Sequence, residues 1–185
     1  MEAFAHLSIL ISIILGLGIA ELLSGFVRTI EKRRAVRIYS PPILWAFLLL
    51  LTHVQTWWSI FGLRSHLDWT FFQFSVVLLQ PIVLYMLSAL ALPRGSAELD
   101  LRANYFEHRR WFFALFASLL IVSIGKDLAL SGSLPSTTNL LFHAVLFCLA
   151  GVGFFIAADR VQRLLAYAAA ALIGAYIALL FARLS

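Results

Sequence analysis

The sequence predicts an all-α integral membrane protein with six transmembrane helices in one bundle. Hydrophobic residues make up 62% of the chain and charged residues 12%, whereas soluble domains contain about 45–50% and about 25%. A soluble fold of 185 residues cannot bury that much apolar surface, so lipid must cover part of it. The apolar residues also fall into six runs, each close to the roughly 20 residues that a helix needs to cross the hydrocarbon core.

The six predicted helices follow one another along the chain, joined by polar connections. They run from Phe4 to Val27, Pro42 to Leu63, Trp69 to Leu92, Trp111 to Leu130, Thr138 to Ala158 and Leu164 to Phe181. Helices are predicted because backbone groups in lipid must be satisfied within the segment, and because no alternating pattern of barrel strands is present. We expect one domain, residues 1–185, and a solvated connector from Pro93 to Glu107 that could also dock a partner.

The basic residues predict the orientation in the membrane. Eleven of the 14 lysines and arginines lie in the first, third and fifth connections, and such an excess marks cytoplasmic loops. We therefore expect a multi-pass protein of the cytoplasmic (inner) membrane with both termini outside. The first connection alone holds five basic residues: Arg28, Lys32, Arg33, Arg34 and Arg37. This cluster either binds anionic lipid headgroups or acts only as the orientation signal, and its place beside apolar runs disfavours nucleic acid.

Small residues recur at every fourth position in the first and last predicted helices. In the first helix they are Ser8, Ser12, Gly16, Ala20 and Ser24, and in the last Ala166, Ala170, Gly174, Ala178 and Ala182. Such ridges let helices approach closely in lipid, where apolar burial gives no drive for association. We predict that helices one and six pack together through them, either within one chain or across an oligomer interface.

Polar side chains inside the second to fifth predicted helices point to the functional site. These residues are His53, Gln55, Thr56, Gln73, Gln80, Ser123, Lys126, Asp127, Asn139 and His143. In lipid such groups must face protein or water. With the predicted orientation they lie in the outer half of the membrane or near its middle. They either line a pocket that is open to the outside or join helices by hydrogen bonds worth about 0.6 kcal/mol each.

Glu21 lies towards the predicted cytoplasmic end of helix one and has two interpretations. Without a cation nearby, burial would raise its pKa and allow it to carry a proton. If Arg28 or Arg37 reaches it, Glu21 forms a structural ion pair. At the other end, we expect His143 or Gln73 as a partner for Asp127.

His53 and His143 suggest a haem hypothesis. Their heights in the membrane differ by roughly 4.5 Å at about 1.5 Å per residue, which permits ligation of one haem by both imidazoles. The spacing does not demand a porphyrin, and hydrogen-bonded histidines are the alternative. No metal site is predicted.

The two halves of the chain show a weak internal similarity. Gly18, Glu21, Ser24 and Gly25 resemble Gly125, Asp127, Ser131 and Gly132. Three spans in each half, about 4–92 and 108–182, would make an inverted repeat of the kind found in transporters.

The leading functional hypothesis is an outward-facing polar pocket that binds or passes a small polar solute or ion. The main alternative is a non-catalytic membrane subunit or scaffold that packs on a partner, or on itself, through the ridges of helices one and six. A b-type haem redox protein is the third. No phosphate loop, metal-ligand spacing or nucleophile elbow indicates an enzyme.

Overall fold

The computed structural model is a bundle of six long helices, and it describes residues 2–32, 37–65, 69–94 and 100–181. Each of the six is long and apolar enough to span a membrane, which confirms the predicted all-α architecture. They are α1 (Glu2–Glu31), α2 (Ser40–Ile60), α3 (Phe71–Ala91), α4 (Leu101–Ser131), α5 (Thr137–Phe155) and α6 (Asp159–Phe181). Arg33 and Arg34, predicted as part of the basic cluster, lie outside the described residues.

Helix α4 begins at Leu101, ten residues before its predicted start. The Asp100 side chain accepts hydrogen bonds from the backbone N–H groups of Arg102 and Ala103, both at 2.9 Å, and so caps the helix. The prediction of a connector as far as Glu107 is wrong for this part, because the first turns of α4 are charged on one side and apolar on the other. Leu101 and Tyr105 bury that apolar side.

Helix α2 lies between α1 and α6. It contacts both, whereas α1 packs on α2 and α3, and α6 packs on α2 and α5. The prediction that helices one and six pack together within the chain is therefore wrong. Leu15 and Leu22 form part of the buried face of α1, whereas the ridge residues Ser12, Gly16 and Ala20 are exposed. Packing across an oligomer interface stays a prediction.

The packing of the two halves of the chain differs. In the first half α1 packs closely along α3, but in the second the described residues of α4 and α6 do not pack in this way. The inverted repeat stays a prediction.

An aromatic cluster joins α2 to α4 and α5 in the core. The Trp45 side chain is 1% exposed, and its ring meets those of Phe112, Phe113 and Phe116 edge to face at centroid distances of 5.2–5.7 Å. Such pairs contribute beyond their buried area. A Cβ at Gly153 of α5 would lie 2.4 Å from the Phe113 ring, so glycine is required for this close approach.

A second close contact joins α1, α2 and α3 around His53. This residue is fully buried. Its Nδ1 lies 2.7 Å from the Leu49 carbonyl oxygen and therefore carries the donated proton, while its Nε2 lies 3.5 Å from Ser88 Oγ. A Cβ at Gly18 would lie 2.3 Å from Nε2, so α1 can approach the imidazole only because residue 18 is glycine.

Arg109 caps the C-terminus of α5 from the neighbouring helix. The last carbonyls of a helix have no partner within it, and Arg109 Nη1 donates to those of Gly153, Phe154 at 2.9 Å and Ile156 at 3.2 Å. Arg109 is 5% exposed, so it is an interior residue and not the surface charge that the orientation count suggests.

Gln162 of α6 completes this arrangement. It is fully buried, its Nε2 also donates to Gly153 and Ile156, and its Oε1 accepts from the Tyr105 hydroxyl at 2.7 Å. Three helices, α4, α5 and α6, are therefore joined at this end of the bundle.

Charged and aromatic groups link the first turns of α4 and α6 to each other and to Tyr39 at the same end. Asp159 accepts from Arg102 at 3.2 Å and pairs with Arg163 at 2.9 Å. The Arg163 guanidinium lies 5.6 Å above the Tyr39 ring. Burial, with a smaller contribution from the charge of Asp159, raises the pKa of Tyr39 to about 12, so this phenol is neutral at physiological pH.

We expect Arg109→Gln to destabilise the protein, because it leaves buried carbonyls of α5 without a charged donor. One hydrogen bond to a charged group is worth about 1.5–3 kcal/mol, and the fall in melting temperature can be followed by circular dichroism in detergent. Arg110→Gln is the matched control, since Arg110 is exposed. Equal melting temperatures for the two variants would contradict the capping role.

We expect Gly18→Ala to destabilise the protein, because its Cβ would overlap the imidazole of His53 and overpacking costs about 1–3 kcal/mol. The control is Gly16→Ala, since a Cβ there meets no atom within 4 Å. That variant should melt at or above the wild-type temperature, because alanine favours helix over glycine. A Gly18→Ala protein as stable as Gly16→Ala would show that α1 does not depend on this contact.

Candidate functional site

A cavity of about 270 Å³ lies between α2, α4, α5 and α6, with one residue from α3. Its polar lining consists of Thr52, Gln55, Thr56, Ser59, Gln80, Ser123, Lys126, Asp127, Asn139 and His143. Its other lining residues are Phe116, Leu119, Leu120, Phe142, Leu146, Ile173 and Tyr176. The volume is many times the roughly 10–15 Å³ that one water requires.

The cavity begins at one end of the bundle. Ser59 and Asp127 lie close to the C-terminal ends of α2 and α4, and Asn139 lies close to the N-terminus of α5. Phe116 lies 11 residues before Asp127, which is roughly 16 Å along the helix axis at about 1.5 Å per residue. The cavity therefore reaches from this end to about the middle of a hydrocarbon core roughly 30 Å thick.

Eight of the ten polar residues proposed from the sequence line this one cavity. They are Gln55, Thr56, Gln80, Ser123, Lys126, Asp127, Asn139 and His143. The other two, His53 and Gln73, do not line it. His53 is buried between α1, α2 and α3, and Gln73 caps α3 together with Thr70 while its Nε2 donates to the Ala129 carbonyl at 3.1 Å.

Three lining side chains are bonded to their own helix. Thr52 donates to the Leu48 carbonyl and Ser59 to the Thr56 carbonyl, both at 2.8 Å. His143 Nδ1 lies 2.9 Å from the Asn139 carbonyl oxygen. Since a carbonyl can only accept, Nδ1 carries a proton, and in the neutral ring Nε2 is an acceptor.

Other lining side chains have no hydrogen bond within the described part of the chain. They include the carboxamides of Gln55 and Gln80 and the hydroxyl of Ser123. The Oδ1 atom of Asn139 is buried and has no partner there. A polar group left in this state costs about 1–3 kcal/mol, so water or a ligand must satisfy these atoms.

The cavity contains one charge of each sign. Lys126 Nζ lies 3.9 Å from Asp127 Oδ1, and the two side chains are 15% and 35% exposed. This distance exceeds the 2.7–3.2 Å typical of an N–H···O hydrogen bond. The ammonium therefore has hydrogens that no described residue accepts. The sequence suggested His143 or Gln73 as the partner of Asp127. Gln73 bonds to the Ala129 carbonyl instead, and His143 lines the same cavity as Asp127, but the charged group near Asp127 is Lys126.

A small void of about 10 Å³, the size of one water, lies beside the cavity towards α1 and α3. Thr56, Ser59, Gln80 and Lys126 line both spaces, and Ile11, Val77 and Pro81 are among the other residues that line the small one. Of the two charged residues that line the cavity, Lys126 is therefore the one that also faces α3.

The apolar and aromatic part of the lining was not identified from the sequence. Ile173 and Tyr176 come from α6, where no side chain was proposed for the pocket, and the Tyr176 ring meets Phe142 of α5 at 5.3 Å. The tyrosine hydroxyl inside the last apolar run was a usable signal. The other apolar lining residues give no such signal in the sequence, because an apolar residue in a span can face lipid, protein or a cavity equally well.

Glu21 lies outside the cavity, at the opposite end of the bundle. It accepts from Arg94 Nε at 3.0 Å, and Arg28 Nη2 lies 3.5 Å away. Of the two partners considered from the sequence, the structure brings Arg28 and not Arg37 to Glu21, and it adds Arg94. The hydrogen bond to Glu21 raises the pKa of Arg94. These contacts match the ion-pair interpretation.

The structure does not bring His53 and His143 to one site. His143 lines the cavity, whereas His53 contacts Leu49, Ser88 and Gly18. A haem ligated by both would have to displace α1 from the imidazole of His53.

Comparison with known proteins assigns no family to this chain. The chain matches no known protein family, no curated protein and no solved structure. The function must therefore be argued from the cavity itself.

Proposed function

We propose that the protein binds a small polar solute or ion in this cavity and passes it across the membrane. The observation that carries the proposal is the convergence of polar side chains from α2, α3, α4 and α5 on one cavity, where several of them have no hydrogen-bond partner among the described residues. Intramembrane polar groups are costly and mark pathways for solutes and ions.

The alternative interpretation, that the polar residues only join helices, fits a different subset. Gln73 bonds across to α4, and His53 faces Ser88 of α3. These two residues are the ones outside the cavity. The carboxamides of Gln55 and Gln80 have no such interhelical bond within the described residues, so holding the bundle together does not account for them.

The other end of the bundle is closed below the cavity. Phe116 lines the cavity floor and packs on Trp45 at 5.2 Å, and beyond this cluster lie Arg109 and Gln162 with their carbonyl partners. This end carries most of the basic residues, which favours the cytoplasmic side. The proposed state is therefore open to the outside, and passage requires a second state in which the aromatic floor opens.

We expect a cysteine at Ser123 to react with a charged, membrane-impermeant maleimide, because thiols react as thiolates and these form in water. The background is Cys148→Ala, since Cys148 is exposed. The matched control is Ser118→Cys, five residues earlier on α4 and exposed on the outside of the bundle.

Ser123→Cys should be labelled roughly tenfold faster than Ser118→Cys or more, because the control thiol faces lipid and remains protonated there. Reagent added to either side of sealed vesicles reports the orientation. Equal labelling rates at the two positions would contradict a water-filled cavity and with it the proposed function.

A second candidate function is self-association as a membrane scaffold. It is favoured by the exposure of the α1 ridge, because Ser12, Gly16, Ala20 and Ser24 are all exposed and a Cβ at Gly16 meets no atom within 4 Å. Such a surface lets a second copy approach closely.

If the α1 ridge forms a dimer, Gly16→Leu should yield monomers in detergent without lowering the melting temperature. Light scattering after size exclusion measures the mass. Gly174→Leu is the matched comparison on α6, since a Cβ there also meets no atom within 4 Å. A dimer that survives Gly16→Leu would remove this candidate.

A further inference from the structure

We propose that the ligand of the cavity is a small zwitterionic amino acid with an apolar side chain. The inference rests on the proposed function and specifies its substrate class. It follows from the charge balance of the site, the different sides that its two charged side chains face, and its apolar floor.

The charge balance favours a ligand that is neutral overall but carries both signs. Lys126 and Asp127 together contribute no net charge to the cavity. A net charge at membrane depth is costly, and an anion or a cation alone would introduce one. A zwitterion keeps the loaded site neutral and still offers each charged side chain an opposite charge.

The two charged side chains face different sides of the cavity, although Lys126 Nζ and Asp127 Oδ1 are only 3.9 Å apart. Successive residues on a helix point about 100° apart. Lys126 lines the small void next to α3 together with Gln80. Asp127 does not line this small void, and it lines the main cavity together with residues of α5 and α6 such as Asn139 and Tyr176.

Each side has unused hydrogen-bonding capacity of the matching kind. The Lys126 ammonium and the Gln80 carboxamide can donate to a carboxylate. The Asp127 carboxylate and the buried Asn139 Oδ1, which has no partner among the described residues, can accept from an ammonium group. A carboxylate and an ammonium on one carbon atom would satisfy both sides at once.

The deeper part of the cavity is suited to an apolar side chain. Phe116, Leu119 and Leu120 precede Lys126 on α4, and Leu146 and Ile173 come from the facing helices. A ligand whose charged groups lie at Lys126 and Asp127 would place its side chain among these residues. The volume of 270 Å³ lies just below the range of about 300–1,000 Å³ for drug-sized ligands, as a small amino acid requires.

The test is isothermal titration calorimetry on the full chain in nanodiscs of phosphatidylcholine, with four probes. These are L-leucine, L-leucinamide without the carboxylate, 4-methylpentanoate without the ammonium group, and glycine without the apolar side chain. We expect leucine to bind at least about tenfold more tightly than each of the others, which corresponds to about 1.4 kcal/mol.

Two variants connect the charge selectivity to the proposed residues. Lys126→Gln should weaken the binding of leucine and 4-methylpentanoate by about tenfold or more, and Lys32→Gln, a lysine outside the cavity, should not. Asp127→Asn is an independent test should Lys126→Gln fail to fold. It should weaken leucine and leucinamide but not 4-methylpentanoate, and the opposite pattern would overturn the assignment of the two sides.

The outcomes separate this inference from the proposed function. Leucinamide or 4-methylpentanoate binding as tightly as leucine would overturn the zwitterion, and glycine binding as tightly would overturn the apolar side chain. Binding of none of the four probes, with Ser123→Cys still labelled, would overturn the ligand class alone. Failure of the Ser123→Cys labelling itself would overturn the cavity and both proposals.

Discussion

Hydrocarbon offers no hydrogen bonds, and the way in which this chain satisfies its intramembrane polar groups determines most of its structure. Some groups bond to their own helix, as Thr52 does to Leu48. Others bond to a neighbouring helix, as Arg109 and Gln162 do to the last carbonyls of α5. The remainder face a cavity, where only water or a solute can satisfy them.

These solutions divide the bundle into two different ends. At the basic end, buried side chains hold α4, α5 and α6 together, and ion pairs of Asp159 join the first turns of α4 and α6. At the other end, α2, α4, α5 and α6 separate around the cavity. The Trp45 cluster lies between the two ends and forms the floor. The described bundle is therefore held together by side chains at one end and surrounds a cavity at the other.

Burial alone does not distinguish the polar residues that join helices from those that line the cavity. His53 is more deeply buried than any polar residue of the cavity, yet its ring nitrogens face Leu49 and Ser88, and Gly18 closes against it. The polar residues of the cavity are less buried, and several of them have no hydrogen bond to another described residue. Unused hydrogen-bonding capacity next to empty space therefore distinguishes the cavity residues better than burial does.

The sequence by itself determined the six spans and most of the polar lining, because lipid forces helices and forces polar side chains away from itself. It could not decide which helices are neighbours. A ridge of small residues is equally compatible with a partner in the same chain, a second chain or lipid, so the close packing of α1 on α3 and its separation from α6 emerged only in three dimensions. Only the tertiary structure showed that Arg109 caps a helix, that His53 and Gln73 lie outside the cavity, and which apolar residues form the cavity floor. Each of these depends on which neighbour a side chain contacts and not on the chemistry of the side chain itself.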